Sequence, residues 1–390
     1  MQKPLEGIRV LDLGHFVAGP FSGMLLADMG AEVIRIEKVG GDTERSFLPY
    51  KDGKSMFVSI YARNKKCITV NFRDQQGKEL LYRLIEKSDV IISNYRAGVM
   101  EKMGLGYDKV KQVNPRIIMG SISGFGQKST YSMRPAFDGV AVAMSGIMHY
   151  NSWPDKGPKV VGSPIGDITT GYVNTLAIMM ALFQREKTGV GQFIDTAMVD
   201  CMVPILSSTI PNVYLEPSAN DPSKSKVIAP AGCYKAKDGY IYLAAGTNEQ
   251  YRSLCELIPN EELKLERYQT IDGRLADYQH LDSLIGAWLS QMTVKQADAL
   301  LEENSIPASI VCTIPDLFES DFAKERKQIV WIDMPGAGKI PYAGNPLKLS
   351  NCPVDYRPGR EVGQDNEDVY CSLLGLSQQQ YEAFKEQNII

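Results

Sequence analysis

The sequence predicts an α/β fold, with a Rossmann-like large domain on a parallel sheet and a smaller α+β domain. In the first part of the chain, short apolar segments alternate with helical ones: a strand at 8–14 is followed by a helix and by a second strand at 31–37. This alternation is typical of a parallel sheet with helices on both faces. The length of 390 residues indicates two domains, or one large domain with an insertion.

Further segments repeat the pattern, with strands predicted at 67–72, 89–94 and 116–123 and a helix at 78–88. Sheets of this type bind ligands at the carboxyl ends of their strands. Those ends carry Lys38, Arg73, Asn94 and Arg96. Such side chains are suited to phosphates and to an adenosine moiety.

The composition changes at 212–232, which is rich in Pro, Ser, Asn and Lys and is predicted to be a linker. A hairpin with Asp238-Gly239 at its turn follows. Helical segments at 247–303 complete a small domain at 233–324. From 325 to 390, short apolar stretches and proline turns lead to a terminal helix.

Charge and composition argue against several classes of partner. The formal net charge is −4 and no stretch is strongly basic, so nucleic acid is not an expected partner. No apolar run reaches the roughly 18 residues of a membrane span, and the N-terminus lacks a signal-peptide core. The seven scattered cysteines contain no C-x-x-C pair. We therefore expect neither a zinc site nor a disulfide framework, and a reducing, cytoplasmic location.

Several catalytic motifs are incomplete. The first strand is followed by G-H-F-V-A-G, without the middle glycine of a dinucleotide fingerprint, which argues against a nicotinamide oxidoreductase. The chain has three histidines, His15, His149 and His280, and no G-x-S-x-G elbow. His15 could equally contact a ligand or begin a helix. By elimination, carboxylates are the leading reactive groups.

Two aspartates are candidates, and each has an ordinary structural interpretation. Asp167 lies in VVGSPIGDITTGY (160–172), directly before an apolar run, and Asp138 lies in RPAFDGVAV. Either aspartate could cap the helix that follows it. Asp167 could instead be a carboxylate nucleophile presented in a tight turn that glycine permits. Spacing alone leaves both interpretations open.

A likeness to a known family covers nearly the whole chain, in order. It is carried by PLEGIRVLDLGHFVAGPFSGMLLADMGAEVIRIEKVGGD, RNKKCITVNFRDQQGKELL, SNYRAGVMEKMGLGYDKV, RPAFDGVAVAMSGIM and SPIGDITTGYVNTLAIMMALFQREKTGVGQFIDTAMVD. These segments resemble the family III CoA-transferases, the CaiB–BaiF group. The resemblance implies an enzyme that moves CoA from an acyl-CoA to a free carboxylic acid, with Asp167 as the nucleophile. The intermediates would be an aspartyl mixed anhydride and an aspartyl-CoA thioester.

The same resemblance implies a CoA site, with CoA as a substrate, no tightly bound cofactor and no metal. Val17 and Ala18 would form the adenine pocket, and Lys38, Arg73 and Lys102 would bind the phosphates. The nucleotide would be lined by Val70, Asn94, Tyr95 and Arg96, and Asp138 would be an acidic residue near the pantetheine arm.

At two places the sequence departs from particular members of the family, and these departures narrow the expected activity. Racemases of the group, the alternative function on this fold, carry a histidine where this chain has Phe137, and racemisation needs a second proton carrier. The formyl-CoA enzymes carry a glycine run that SKVIAPAGCY (225–234) lacks. The segment DTERSFLPYKDGKSMF is closer to the acetyl-CoA:oxalate type. The resemblance further implies an interlocked homodimer, in which 325–390 returns to the large domain at 1–211.

Overall fold

The structure is a computed structural model that describes residues 3–152, 157–221 and 226–390. It divides into two compact units. The first contains Met1–Pro211 and Glu325–Ile390, and the second contains Asn212–Lys324. The residues after 325 therefore belong to the same unit as the N-terminal part of the chain.

The strands are β1 (Arg9–Asp12), β2 (Glu32–Glu37), β3 (Tyr50–Lys51), β4 (Lys54–Ser55), β5 (Lys66–Thr69), β6 (Val90–Ser93), β7 (Ile118–Ser123), β8 (Phe193–Ala197), β9 (Ala231–Lys235), β10 (Tyr240–Ala244), β11 (Ala308–Ile310), β12 (Ile329–Met334) and β13 (Gly338–Ala343).

The α-helices are α1 (Ala18–Asp28), α2 (Phe57–Ala62), α3 (Gln75–Glu86), α4 (Val99–Lys102), α5 (Tyr107–Val113), α6 (Asp138–Met144), α7 (Ile147–Tyr150), α8 (Ile165–Thr188), α9 (Met198–Met202), α10 (Thr209–Leu215), α11 (Asn248–Leu257), α12 (Ile271–Ala276), α13 (Tyr278–Leu289), α14 (Val294–Glu303), α15 (Ile314–Glu319), α16 (Asp321–Glu325) and α17 (Gln378–Glu386). Short 3₁₀ helices occur at Thr43–Ser46, Val203–Leu206, Pro217–Asn220, Glu261–Lys264 and Glu266–Gln269, and a π-helix at Asp368–Leu373.

The first unit is built on a six-stranded sheet in the order β5-β2-β1-β6-β7-β8. All five pairings are parallel. The predicted α/β fold with a parallel sheet is confirmed. Successive residues of the strands face opposite sides: Ile34 belongs to the core on one face and Val33 to the core on the other. This alternation places apolar side chains on both faces, as a sheet covered by helices requires.

Helix α8 is the 24-residue element that carries Asp167. It packs closely on the sheet and on α1, because glycines leave room for it. A Cβ at Gly120 would lie 2.8 Å from the side-chain oxygen of Asn174, and a Cβ at Gly171 would lie 2.7 Å from Phe21 Cδ1. The helix ends at Gly189, whose φ of 73° places it in the left-handed conformation common at helix ends.

The last part of the chain contributes to the sheet core. Val369 and Tyr370 are fully buried, and the Tyr370 hydroxyl donates to the carbonyl of Thr69 at 2.7 Å. The backbone N–H of Asn71 donates to the carbonyl of Ile389. The antiparallel hairpin β12–β13 also lies here, in a stretch for which short apolar segments and proline turns were predicted.

The second unit has an antiparallel sheet in the order β11-β10-β9, packed with helices α11 to α14. Asp238 and Gly239 connect β9 and β10, as predicted. The fully buried Arg274 donates hydrogen bonds to the carbonyls of Ala229, Tyr268 and Gly246. These bonds satisfy a guanidinium that would otherwise be costly to bury.

The predicted linker at 212–232 is partly regular. It contains the end of α10, the 3₁₀ helix Pro217–Asn220 and the start of β9, whereas residues 222–225 lie outside the described part of the chain. Proline opens the 3₁₀ helix, where its missing N–H is not needed. A segment rich in turn-forming residues therefore still forms short helices.

Across the described residues, no single helix has the length and apolar character of a membrane span. One pair of helices, Met198–Leu206 and Thr209–Leu215, meets the length and composition test only when taken together and is bent by 63°.

Candidate active site

Asp167 is the third residue of α8, and Pro164 occupies the N-cap position. Both local predictions for Asp167 were therefore wrong: it is neither the helix cap nor part of a turn that requires glycine. Gly166 is itself helical and has no positive φ. Its small size serves another purpose, because a Cβ there would lie 3.0 Å from Asp138 Oδ1.

Asp138 is the first residue of α6, after Phe137 at the N-cap position, and its own helix receives no side-chain cap. The prediction that Asp138 caps this helix was wrong. Its Oδ1 instead accepts a hydrogen bond from the backbone N–H of Asp167 at 2.9 Å. Asp138 thus satisfies one of the N–H groups that the first turn of α8 leaves without a helical partner, and it holds that turn against α6.

The Asp167 carboxyl has an unusual protonation equilibrium. Its burial and, second, the negative charge of Asp138 raise the pKa of Asp167 to about 7. Both causes disfavour the charged form of a carboxyl. Near neutral pH the group is therefore divided between its two forms. A poorly solvated carboxylate of this kind can attack an activated carbonyl carbon.

The predicted nucleotide residues follow the carboxyl ends of four adjacent strands. Val17 and Ala18 follow β1, Lys38 follows β2, Val70 and Arg73 follow β5, and Asn94, Tyr95 and Arg96 follow β6. Because the strands are parallel, these ends share one edge of the sheet. Lys102 lies apart from the strand ends, as the last residue of α4.

These predicted residues differ in accessibility. Lys38, Arg73, Arg96 and Lys102 are exposed, and none of them forms an ion pair with a described residue. They are available to an anion. The side chains of the remaining predicted set are more enclosed, and two are almost wholly buried: Val70 is 0% and Ala18 1% exposed. Val70 packs in the sheet core, so its side chain does not line an open surface.

Asn94 and Tyr95 both contact His15. Asn94 accepts from the backbone N–H of His15 and donates to its carbonyl, each at 2.7 Å. The Tyr95 hydroxyl lies 2.6 Å from His15 Nε2, and Glu44 Oε1 lies 3.2 Å from His15 Nδ1. Sequence reasoning found Asn94 and Tyr95 but not this network, whose partners lie 29 and 80 residues from His15.

The network raises the pKa of His15. Burial alone would lower the pKa of His15, but the hydrogen bond that Glu44 accepts and the negative charges of Asp42 and Glu44 outweigh it and raise the pKa. The donor atoms of His15, Asp42 and Glu44 lie within 4.8 Å of one another, a spacing that a metal could use. However, Arg35 already lies 3.1 Å from Glu44 and 3.4 Å from Asp42. This guanidinium already pairs with both carboxylates, so we assign no metal centre here.

Comparison with known proteins places the chain in a family. The profile of CoA-transferase family III matches residues 5–366. The succinyl-CoA–D-citramalate CoA-transferase of Chloroflexus aurantiacus is 32% identical over 396 residues, covering 100% of this chain and 98% of that protein. The succinyl-CoA:mesaconate CoA-transferase of Haloarcula marismortui is 33% identical over 360 residues, covering 89% and 90%.

Comparison with solved structures indicates the same family as the sequence relatives. A CAIB/BAIF family protein from Brucella suis superposes with a TM-score of 0.83 at 30% identity, covering 96% of this chain and 100% of that one. The parallel sheet and the matched length are thus shared with a known member of the group. The chain belongs to CoA-transferase family III, and it is a CoA-transferase.

Proposed function

We propose that this protein moves CoA from an acyl-CoA to a free carboxylic acid, with Asp167 as the nucleophile. The observation that supports this most is the position of Asp167: a half-buried carboxyl at the start of α8, with its N–H held by Asp138 and its pKa raised to about 7. A substantial carboxylate fraction therefore exists at neutral pH in a poorly solvated place.

The reaction follows from carboxylate chemistry. An Asp167 oxygen attacks the thioester carbonyl, the C–S bond breaks, and CoA thiolate leaves a mixed anhydride. The thiolate attacks the Asp167 carbonyl carbon and releases the donor acid, which keeps the attacking aspartate oxygen. The resulting aspartyl-CoA thioester is attacked by the acceptor carboxylate, giving a second anhydride. The thiolate then takes the acceptor acyl group, and Asp167 keeps one acceptor oxygen.

For CoA binding, we assign the phosphates to Lys38, Arg73 and Lys102. These side chains are exposed and form no ion pair with residues in the described part of the chain, which supports this role. Tyr95, Asn94 and Arg96 follow β6, where they would line the nucleotide. Val17, Ala18 and Val70 would contribute through their backbone, because their side chains are buried. CoA then binds and leaves as a substrate and not as a resident cofactor, and Asp138 acts by positioning Asp167.

We propose an interlocked homodimer as the assembly. Helix α8 carries an apolar stripe, defined as Val173, Leu176, Met180 and Phe183, which are 39%, 56%, 63% and 67% exposed. Exposed apolar surface of this extent is typical of an interface. The passage of the chain out of the first unit at 211 and back at 325 is compatible with interlocking. A cytoplasmic location is supported by the seven unpaired cysteines.

The mechanism can be tested by trapping the acyl-enzyme. Enzyme is incubated with an acyl-CoA and hydroxylamine, without acceptor acid, and the modified residue is mapped by mass spectrometry. We expect a hydroxamate on Asp167 and none in Asp167→Asn. A hydroxamate on Asp138 would show that the other carboxylate is the nucleophile. Exchange of the α-hydrogen of a 2-methylacyl-CoA in deuterated water, without an acceptor, would favour the racemase alternative.

A further inference from the structure

A row of aromatic side chains lies in the first unit beside Asp167. We call it the aromatic row: Phe137, Phe16, Phe47, Phe57 and Tyr61. The ring centroids are 5.8 Å apart for Phe137 and Phe16, 5.7 Å for Phe16 and Phe47, 5.7 Å for Phe47 and Phe57, and 6.3 Å for Phe57 and Tyr61. These are the separations of interacting rings.

Both ends of the aromatic row approach the proposed nucleophile. Phe137 directly precedes Asp138, whose carboxylate accepts the N–H of Asp167. At the other end, burial and then the charge of Asp167 raise the pKa of Tyr61 to about 12. Tyr61 and Ile168, the residue after Asp167, both pack against the cluster of Phe21, Met24 and Leu25. The row therefore passes around the site from Phe137 to Tyr61.

The row is not a sealed part of the core. Phe137 is 64% and Phe47 38% exposed, and Phe16, Phe57 and Tyr61 are only partly buried. The Tyr61 hydroxyl is the only polar group on these five rings, and it makes no hydrogen bond with a described residue. The row thus presents apolar surface, with one hydroxyl, to whatever lies beside Asp167.

Phe16 is held in the row by a strained backbone. Its φ of 56° is rare for a bulky residue, and such strain persists where surrounding contacts enforce it. Glu44 Oε1 accepts the Phe16 N–H at 3.3 Å, and Asn94 holds the preceding His15 N–H. The fold therefore maintains an unfavourable conformation that places this ring between Phe47 and Phe137.

A second carboxylate on the substrate would need a cation beside the row. Most cations near these rings in the sequence already pair with a carboxylate within the described part of the chain. Ion pairs of 2.6–3.7 Å join Arg35 and Arg45 to Glu37, Arg63 to Asp28, Lys65 to Asp12, Lys54 to Glu361 and Lys51 to Asp52. The guanidinium of Arg134 lies over the ring of Tyr131 at 4.7 Å.

We propose that the aromatic row is the acyl-binding surface of this enzyme and that it selects apolar acyl groups, aryl or alkyl, over acyl groups with a second carboxylate. This inference rests on the proposed function, because it assigns the acyl group that Asp167 receives. An aryl or alkyl chain gains by leaving water for such a surface, whereas a free carboxylate loses its hydration there without a partner.

The test is the first half-reaction, which needs no acceptor acid. CoA release in the presence of hydroxylamine is measured for 3-phenylpropanoyl-CoA and hexanoyl-CoA, and for succinyl-CoA and glutaryl-CoA. Because the hydroxamate consumes Asp167, CoA release is followed over a single turnover. We expect its second-order rate constant to be at least about tenfold higher for the two apolar thioesters, a discrimination that apolar pockets commonly reach. Equal or higher values for the dicarboxylic thioesters would overturn the inference.

Variants separate the acyl surface from other roles of these rings. Phe137→Ala should lower the single-turnover rate constant for 3-phenylpropanoyl-CoA by about tenfold and leave the rate constant for succinyl-CoA less affected. Phe322→Ala, which removes a ring that is 63% exposed in the other unit, is the matched control and should change neither value. An equal loss for both thioesters, or a change of oligomeric state without a change of preference, would contradict an acyl surface at Phe137.

The variant Asp167→Asn distinguishes this inference from the proposed function. CoA release that persists in Asp167→Asn would contradict Asp167 as the nucleophile, whatever the acyl preference. Release that depends on Asp167 but favours succinyl-CoA would overturn only the acyl inference.

Discussion

At the scale of single residues, Asp138 has two separable effects on Asp167. Its oxygen accepts the Asp167 N–H, and its charge contributes to the raised pKa. The hydrogen bond fixes the position of Asp167, and the charge of Asp138 shifts the pH range in which Asp167 is ionised. A substitution that keeps the acceptor oxygen but removes the charge can tell these effects apart.

We predict that Asp138→Asn moves the acid limb of the pH profile. In the wild-type enzyme, kcat/KM for an acyl-CoA should rise with an apparent pKa near 7. The amide keeps an oxygen for the Asp167 N–H but carries no charge, so the limb should move to lower pH. Burial, the larger cause, remains, and the apparent pKa should stay above the ordinary aspartate value. An unmoved limb would contradict a charge effect from Asp138.

The raised pKa of Asp167 should also lower the free energy of unfolding at neutral pH. Its folded-state pKa of about 7 lies above the ordinary 3.8, so the unfolded chain releases this proton first. The free energy of unfolding is therefore lost as pH rises from about 4 to 7, the reverse of a salt-bridged carboxylate. We predict that Asp167→Asn is more stable than wild type by on the order of 2 kcal/mol near pH 8, with no gain near pH 4. Urea unfolding at the two pH values measures this. A gain of equal size at both would point to a cause other than ionisation.

The sequence predicted some features of Asp167, Asp138 and His15 and missed others. The resemblance to the family identified Asp167, but its place inside a helix was missed, because a glycine before an aspartate looks like a turn when the approach of Asp138 is unknown. The role of Asp138 itself depends on a contact 29 residues away. Glu44 and Asp42 raise the pKa of His15, and nothing in the local pattern around it predicts these partners.

At the scale of elements, the packing of α8 on α1 positions Asp167. A Cβ at Gly171 would lie 2.7 Å from Phe21 Cδ1 and 3.0 Å from the carbonyl oxygen of Ala18. A backbone atom cannot move aside as a flexible side chain can. The two helices are therefore as close as glycine allows at this point, one turn beyond Asp167.

We predict that Gly171→Ala destabilises the protein by about 1–3 kcal/mol, the usual cost of overpacking. The matched control is Gly139→Ala in α6, where the nearest atom to a new Cβ is Met148 Cε at 3.9 Å. There alanine should stabilise by up to about 1 kcal/mol through its helix propensity. Thermal unfolding of both variants checks the pair. Equal shifts in Tm would show that the α1–α8 contact is not tightly packed.

Elements were predicted best where the hydrophobic pattern was strong. Five of the six strands of the parallel sheet were predicted near their observed bounds, because apolar runs such as Val90–Ser93 are buried on both faces, whereas β8 was not predicted. The hairpin β12–β13 was missed because β13 contains Pro341, which normally argues against a strand. Pro341 is accommodated opposite Trp331 in a two-stranded hairpin, which has no inner strand.

At the scale of the whole molecule, the apolar stripe of α8 should be covered by a second copy of the chain. We predict that Leu176→Asp combined with Met180→Glu converts a dimer to a monomer, because two charges would be buried without partners in the interface. Both side chains are exposed within one chain, so the fold of the monomer should survive. Light scattering measures the mass, with Phe322→Asp as the control that should remain dimeric. A dimer that persists in the double variant would exclude the stripe as its interface.

The central claim is that the Asp167 carboxylate exchanges its oxygens with the substrates in each turnover. Its most direct test supplies acceptor acid labelled with oxygen-18 and examines the enzyme by peptide mass spectrometry after turnover. Trypsin would release Asp167 in the peptide 160–185, separate from Asp138. We expect the heavy oxygen in the Asp167 side chain. Continued CoA transfer with no label there, or with the label on Asp138, would contradict the account.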